Sequence, residues 1–324
     1  MDTQGMLALV QKAAKPLFNI IKVTGPFVLA QSKTAVENYS DYKLNKARLD
    51  AISVLLQEEA KNISNDRAKL RDKIINSTGM ERVRAQNDYN LLTQELNKLS
   101  TVDMVKNFIT DDETINTEKE IEDSWIYKFN QLASSLNEDW RKQLLANAFA
   151  LELKNPGSIN FIMLNCIASF DETTFRMFGF LINSSIRMYE VNILPPLEGK
   201  REFEINGETC TINKILYGLE HLNLIKGSND GYIDMSHKVG EDTLLRYGKR
   251  VLRMRYPEAF IQAIDRIGMN YFTQLGNDIA KLYTREINDF GDENFETFVK
   301  AAKDKNYIWF DFELSDSLYL ELGN

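Results

Sequence analysis

The stretch DSWIYKFNQLASSLNEDWRKQLLANAFALELKNPGS, Asp123 to Ser158, decides the fold of the central part of the chain. Its apolar residues recur at spacings of three and four in two successive runs, which is the pattern of two helices that each bury one face. Pro156 and Gly157 end the second run, because proline has no amide hydrogen to donate and glycine tolerates a positive φ. The residues predicted to form the structural core of this stretch are Trp125, Trp140, Leu144, Pro156 and Gly157.

Side chains that can accept a hydrogen bond from a first-turn amide divide this region into four helices. The predicted caps are, in chain order, Ser124, Asn137, Ser158 and Asp171. The fourth helix is expected to end near Met188. Four helices with short connections predict a central antiparallel helical bundle over residues 124–196.

The composition limits the classes of function that the chain can have. With 47 acidic and 39 basic residues, the 324-residue chain carries a net charge of −8, which argues against a protein covered in nucleic acid. Only two cysteines and two histidines occur, which disfavours a disulfide framework and most zinc sites. The phosphate-loop, dinucleotide and nucleophile-elbow motifs do not occur. We therefore expect no catalytic residue, metal, cofactor or enzymatic activity.

Residues 1–30 are predicted to form an amphipathic helix followed by a turn at Gly25 and Pro26. Lysines and helix-breaking residues interrupt this apolar stretch, so no run reaches the roughly 20 residues that a membrane span requires. One interpretation docks the helix on the protein's own core. The alternative is a helix that lies on the inner membrane through the apolar face Leu17, Phe18, Ile20 and Ile21. Because the first residues lack a basic region with a cleavage site, we expect a cytoplasmic protein, peripheral to the membrane in the second case.

Residues 31–100 are predicted to form a long helical hairpin, a coiled-coil-like arm that turns at Asn76 to Gly79. Apolar residues follow a near-heptad pattern on both sides of the turn. They are Leu49, Ile52, Leu56, Ile63, Leu70 and Ile74 before it, and Ala85, Tyr89, Leu92, Leu96 and Leu99 after it. We favour a hairpin folded on itself, and pairing with a second copy of the chain is the alternative. Residues 101–123 are predicted to be an acidic connection.

Residues 197–324 predict a small α+β module that resembles a winged helix. Asn206-Gly207 suits the tight turn of a β-hairpin, and Thr211 is expected to cap a helix that ends at Leu222. Thr273 is expected to cap a helix over Gln274 to about Ile287. Strands are predicted near Leu224-Ile225, Gly231–Met235, Thr243–Tyr247, Arg250–Tyr256 and Tyr307–Leu314, and residues 257–272 are ambiguous between helix and strand.

Five cations lie in a stretch of ten residues within the predicted strand pair. They are Arg246, Lys249, Arg250, Arg253 and Arg255. In a wing they are candidates for contacts to the phosphates of a nucleic acid. The alternative is a solvated strand pair on an acidic protein.

The central stretch also resembles a known bacterial family. Asn137 to Trp140, Leu145 to Ala148 and Glu152 to Ser158 are similar to the corresponding segments of the domain of unknown function 2806, as are Phe272 to Gly276 with Ile279. The Leu-Ala-Asn segment also resembles the abortive-infection alpha type proteins. Two positions differ from the usual residues of the domain of unknown function 2806: Ala150 replaces Gly, and Ile159-Asn160 replaces Phe-Ser. The resemblance covers roughly residues 120–290 and implies a prophage or defence context without catalytic residues.

Together these patterns predict a mainly α protein with a long N-terminal hairpin, a central bundle and a small winged-helix-like C-terminal module. We expect a non-enzymatic scaffold or sensor in bacterial anti-phage defence or prophage biology. It would act by contact with a protein partner, either a different protein or a second copy of the same chain. The alternatives are an effector that acts on membranes through the N-terminal helix and a regulator that binds nucleic acid through the C-terminal module.

Overall fold

The structure is a computed structural model, and its described residues form two compact units, Met1–Ala168 and Ser169–Asn324. The described residues are 15–25, 44–115, 119–226, 232–234, 242–255, 266–304 and 308–322. They are mainly helical with an antiparallel sheet, which confirms the mainly α class. Parts of several predicted elements lie outside them, namely residues 1–14, 26–43, 116–118, 227–231, 235–241, 256–265 and 305–307.

The first unit is helical apart from one short strand pair. Its helices are α1 (Lys15–Thr24), α2 (Lys46–Asn76), α3 (Gly79–Asp103), α4 (Asp123–Ser135), α5 (Asp139–Lys154) and α6 (Phe161–Ser169), with a 3-10 turn at Met104–Phe108. Strands β1 (Leu44–Asn45) and β2 (Thr114–Ile115) pair antiparallel. Residues 101–123 are therefore not a simple connection, because they contain the end of α3, the 3-10 turn and β2.

An aromatic cluster lies between α4 and α5. The ring of Phe129 is centred 5.3 Å from that of Trp125 and 4.8 Å from that of Phe149, and all three side chains are buried. The indole nitrogen of Trp125 also donates a hydrogen bond to the carbonyl oxygen of Ile159, at 2.8 Å. The cluster therefore joins α4, α5 and the segment before α6.

The predicted core residues of the central stretch divide between core and surface. Trp125 and Leu144 are buried, as predicted. Trp140 is only half-buried, with the Arg141 guanidinium 4.8 Å from its ring, so its assignment to the core is wrong. Pro156 is half-buried and Gly157 is exposed with φ +95°, so they shape the turn after α5 and do not fill the interior.

Helices α2 and α3 are joined by only two residues and pack along each other. Ile63, Leu70 and Ile74 of α2 are half-buried along this contact, and Ala85 of α3 is buried. Beyond Leu56 no residue of α2 is fully buried. We call the outer part of this helix pair, residues 57–96, the arm.

The second unit combines a helix-covered sheet with a separate hairpin. Its helices are α7 (Glu172–Ser184), α8 (Ile212–His221), α9 (Gln274–Ala280), α10 (Asp289–Asp304) and α11 (Asp316–Leu322). Its strands are β3 (Ile186–Met188), β4 (Val191–Leu194), β5 (Glu202–Ile205), β6 (Glu208–Thr211), β7 (Ile225–Lys226), β8 (Tyr232–Asp234), β9 (Asp242–Tyr247), β10 (Arg250–Arg255), β11 (Arg266–Gly268), β12 (Asn270–Phe272) and β13 (Ile308–Glu313). Seven strands form one antiparallel sheet in the order β13-β10-β9-β3-β4-β12-β7.

One face of this sheet is buried by α10. Phe295, Phe298 and Val299 of that helix pack against Leu252 and Met254 of β10. Alternation along β10 places these two residues on the buried face and Arg253, between them, on the opposite face. The core of the second unit therefore lies between α10 and the middle of the sheet.

Three predictions about the second unit are corrected. The helix that begins after Asp171 ends at Ser184 and not near Met188, because β3 and β4 follow it, so residues 186–194 belong to the sheet and not to a helical bundle. The strand pair β9–β10 is not a free wing, since β3 and β13 flank it on both sides. The helix after Thr273 ends at Ala280, earlier than the predicted Ile287.

Local capping and turn predictions have mixed outcomes. Thr211, Thr273 and Asp171 accept the bonds that were predicted, from the amides of Lys214, Gly276 and Thr174. The Asn206-Gly207 hairpin is also confirmed, with φ of 56° and 76°.

Three caps were wrong because their side chains have other partners. Ser124 bonds to Glu122, and Asn137 accepts from the side chain of Asn97. Ser158 bonds to the carbonyl of Leu151, and Asn160 caps α6 in its place, accepting from the amide of Met163.

The aromatic cluster provides a test of the first unit. We expect Phe129→Ala to lower the free energy of unfolding by about 3–5 kcal/mol, because it leaves a cavity between two rings. Tyr127→Ala removes an aromatic ring of similar size from the exposed side of the same helix and should change stability by less than about 0.5 kcal/mol. Urea unfolding followed by circular dichroism measures both. Equal losses would show that the cluster is not the core of this unit.

Candidate functional site

The proposed membrane face of the N-terminal helix lies inside the first unit. Leu17, Ile20 and Ile21 are buried, and Phe18 is half-buried, where α1 contacts α3 and α4. Lys22 forms ion pairs with Asp123 at 2.7 Å and with Glu120 at 3.4 Å. The geometry is that of a helix docked on the protein's own core.

No helix in the described part of the chain is both long enough and apolar enough to cross a bilayer.

Four of the five cations in the predicted phosphate site are bonded to carboxylates. The pairs are Lys249 with Asp316, Arg250 with Asp311 and Glu296, and Arg253 and Arg255 with Asp242. These arginines hold the pKa of Asp242 below its usual value through hydrogen bonds and charge. The four cations therefore neutralise carboxylates on the same sheet and its flanking helices.

The fifth cation, Arg246, belongs to a group that the sequence pattern did not reveal. It lies directly opposite Arg187 of β3 in the register of the sheet, so both side chains project from the same face. Arg285, in the segment that follows α9, lies beside these two arginines. We call Arg187, Arg246 and Arg285 the arginine cluster.

Hydrogen bonds to the backbone and to amides fix the third member of the cluster. The Arg285 guanidinium donates to the carbonyl oxygen of Ser185, to its hydroxyl at 2.9 Å, and to Asn192 Oδ1 at 3.2 Å. Asn192 is itself held by Asn277, whose Oδ1 accepts from the Asn192 amide and side chain at 2.8 and 2.9 Å. The orientation of Arg285 is therefore set before any ligand arrives.

Burial and like charge act together on the cluster. Burial, followed by the nearby charge of Arg187, lowers the pKa of Arg285 to about 10. The same two causes lower the pKa of Arg246, and its buried Nη1 has no hydrogen-bond partner. Among the described residues, neither Arg246 nor Arg285 has an Asp or Glu oxygen within 4 Å. Three positive charges thus converge, and the carboxylate nearest to them in the ion pairs of the described residues is that of Glu190, 3.9 Å from Arg187.

A cavity of about 220 Å³ lies beside the cluster. It is lined by Ile182, Arg187, Glu190, Asn192, Asn277, Ala280, Lys281, Tyr283 and Arg285. Three of these side chains are cationic. The one carboxylate, Glu190, is 86% exposed and lies 3.9 Å from Arg187 Nη2, so water screens its charge. The cavity is positively charged in a chain whose net charge is negative.

A larger cavity, of about 470 Å³, lies in the first unit beside the turn that ends α5. Its most buried polar group is Glu152, whose carboxylate accepts from the amides of Gly157 at 2.6 Å and Ile159 at 2.9 Å. Burial raises the pKa of Glu152, and these amide bonds oppose that effect. Glu152 therefore holds the Pro-Gly turn in place, and its polar groups are occupied by that role.

The arm carries a second apolar surface on the outward side of α3. Met80, Val83 and Leu91 are 67%, 50% and 61% exposed. At about 100° per residue they fall within an arc of about 80°, roughly opposite the side of α3 that contacts α2. We call these three residues the outer stripe, and no inference from the sequence had singled it out.

The comparisons with known proteins identify no relative. The chain matches no protein-family model, no curated protein and no solved structure. Within the described residues, no three His, Cys, Asp or Glu side chains are grouped so that they could hold a metal ion.

Aspartate substitutions in α1 separate a docked helix from a membrane face. We expect Ile20→Asp to lower the free energy of unfolding by about 4 kcal/mol or more, because it buries a charge. Phe18→Asp should lower the free energy of unfolding by only about 1 kcal/mol, because the Phe18 side chain is half-buried. Urea unfolding and flotation with anionic liposomes measure the two effects. Flotation of the wild type that both variants abolish without a difference in stability would instead support the membrane hypothesis.

Proposed function

We propose that this protein is a non-enzymatic scaffold or sensor that acts by protein–protein contact through its arm. The observation that carries the proposal is the outer stripe, an exposed apolar surface on a helix that already buries its other side. The resemblance of residues 137–158 to the domain of unknown function 2806 supports a role in bacterial anti-phage defence or prophage biology.

The outer stripe is hard to explain by the fold of the arm alone. A two-helix hairpin needs one apolar side on each helix, and Ala85, Tyr89 and Leu92 already supply it on α3. Met80, Val83 and Leu91 add a second side, and within the part of the chain that the structure describes each of the three side chains is at least half exposed. Exposed apolar side chains at helical spacing are typical of a surface that binds another helix. In the outer stripe the exposed Asn87 separates Met80 and Val83 from Leu91.

Charge favours a second copy of the chain as the partner of the stripe. Residues 57–96 contain seven acidic and seven basic residues, so the arm has no net charge although the whole chain has −8. Two arms can therefore approach each other without the repulsion that two whole chains have on average. Pairing of two outer stripes about a twofold axis would form a four-helix contact in which the same residues meet.

In this proposal the two units have different tasks. The hairpin of α2 and α3 is the contact element, α4 to α6 form the helical bundle that supports it, and the C-terminal unit is the sensing module. The winged-helix role is not retained, because β9 and β10 lie in the middle of a larger sheet. The membrane and nucleic-acid alternatives are also not favoured, since the apolar face of α1 is buried and four of the five cations have carboxylate partners.

A triple substitution tests the stripe. We expect the wild type to be a dimer at tens of micromolar, and Met80→Asp, Val83→Asp and Leu91→Asp together to weaken dimerisation by at least about 100-fold. Light scattering after gel filtration measures the mass. The matched control adds the same charge to exposed positions of α2, with Asn62→Asp, Ser64→Asp and Asn65→Asp, and should remain dimeric. A monomeric wild type, or a control that dissociates equally, would contradict the proposal.

A further inference from the structure

We propose that the arginine cluster and the cavity beside it form a binding site for phosphate or a phosphate monoester. The site lies entirely within the second unit and uses none of the residues of the arm. It is a different site from the wing-like phosphate contact expected from the sequence. Arg246 is common to both, but it does not line the cavity and contributes through its charge beside Arg187 and Arg285.

The same sheet treats its arginines in two ways, and the contrast indicates a ligand. On β10, Arg250 bonds to Asp311, and Arg253 and Arg255 share Asp242. Arg246 of β9, in contrast, has no carboxylate oxygen within 4 Å among the described residues. On β3 and β9, Arg187 and Arg246 are placed opposite each other. Like charges directly opposite on neighbouring strands destabilise a sheet, and a bound anion removes that cost.

Arg285 has donors beside the cavity that its described hydrogen bonds do not use. Three of the five N–H groups of Arg285 are bonded to Ser185 and Asn192, which leaves two among its described contacts. Arg187 and Lys281 line the same cavity, and Lys281 also bonds to Asp278 at 2.9 Å. A fork of N–H groups held in a fixed orientation suits the oxygens of a phosphate, which accept two bonds side by side.

Acceptor groups beside the cavity are already used, so few of them oppose an anion. The Asn192 side-chain oxygen accepts from Ser185 and Arg285, and the Asn277 side-chain oxygen accepts from Asn192. Glu190 is the one carboxylate in the lining, and its exposed position lets it turn into solvent. The inward-facing polar groups are therefore mainly donors.

The volume limits the ligand. A cavity of about 220 Å³ holds on the order of seven water molecules, which is enough for a phosphate group. It is smaller than the roughly 300–1,000 Å³ of sites that enclose drug-sized molecules. A free phosphate ion fits inside it, and a larger phosphate monoester would place its phosphate there with the remainder outside.

Titration calorimetry tests the site with two probes, sodium phosphate and adenosine monophosphate, in a chloride buffer. We expect the wild type to bind at least one of them saturably, and Arg187→Gln to bind it at least tenfold more weakly. Arg176→Gln removes the same charge from an exposed position of α7 and should change affinity by less than twofold. Binding of phosphate alone identifies the free ion as the ligand, and tighter binding of the nucleotide identifies a monoester. Absence of both, or equal loss in the control, overturns the proposal.

Thermal unfolding separates a ligand-binding role from a structural one. Arg246→Gln removes one of two opposed charges, so in phosphate-free buffer its Tm should equal or exceed that of the wild type. Phosphate should raise the Tm of the wild type, because the anion binds the folded state only. It should raise the Tm of Arg246→Gln much less, because that variant lacks one of the positive charges that attract the anion. A variant that is less stable than the wild type without phosphate, and gains as much from phosphate, would show that Arg246 serves packing and not anion binding.

Discussion

The pairing of β3 with β9 is the constraint on which the second unit depends. It joins Arg187 and Met188 to Arg246 and Leu245, residues that are almost sixty positions apart in the chain. Without this contact the sheet would separate into β13-β10-β9 on one side and β3-β4-β12-β7 on the other. It also leaves Leu245 on the face that α10 covers and Arg246 on the opposite face. One register therefore fixes both the core and the charged surface of this unit.

The features that the sequence predicted correctly depend on few residues close together. A threonine before an apolar run caps a helix wherever the run is placed, as Thr211 and Thr273 do, and Asn206-Gly207 turns a hairpin with little help from the rest of the fold. The segment Ile186 to Met188 shows the limit of such reasoning. Its short apolar pattern fits the end of a helix and a strand equally well, and only the pairing with β4 and β9 decides between them.

The arginine cluster was beyond prediction for the same reason. The cations of β9, β10 and their turn were predicted as a site because they are close together in the sequence. Neighbouring residues of a strand, however, lie on opposite faces of the sheet. Four of these cations also form ion pairs with carboxylates that are distant in the sequence. Arg187 and Arg285 are isolated in the sequence, and they meet Arg246 only because β3 pairs with β9 and the segment after α9 returns to Ser185. The local count of charges thus identified only Arg246 among the three members of the arginine cluster.

The apolar face of an amphipathic helix can be covered by its own protein or by a partner or membrane. Helices α1 and α3 of the first unit differ in this respect. The apolar face of α1 fits a membrane and a core equally well by spacing, and in the structure it is covered by α3 and α4 while Lys22 pairs with Asp123. Helix α3 has two apolar sides, and among the described residues α2 covers one of them while the other is at least half exposed. Packing against α2 explains the first side, and we propose that a second copy of the chain covers Met80, Val83 and Leu91. In this proposal the free energy of association, and not the stability of a single molecule, accounts for the identity of these three residues.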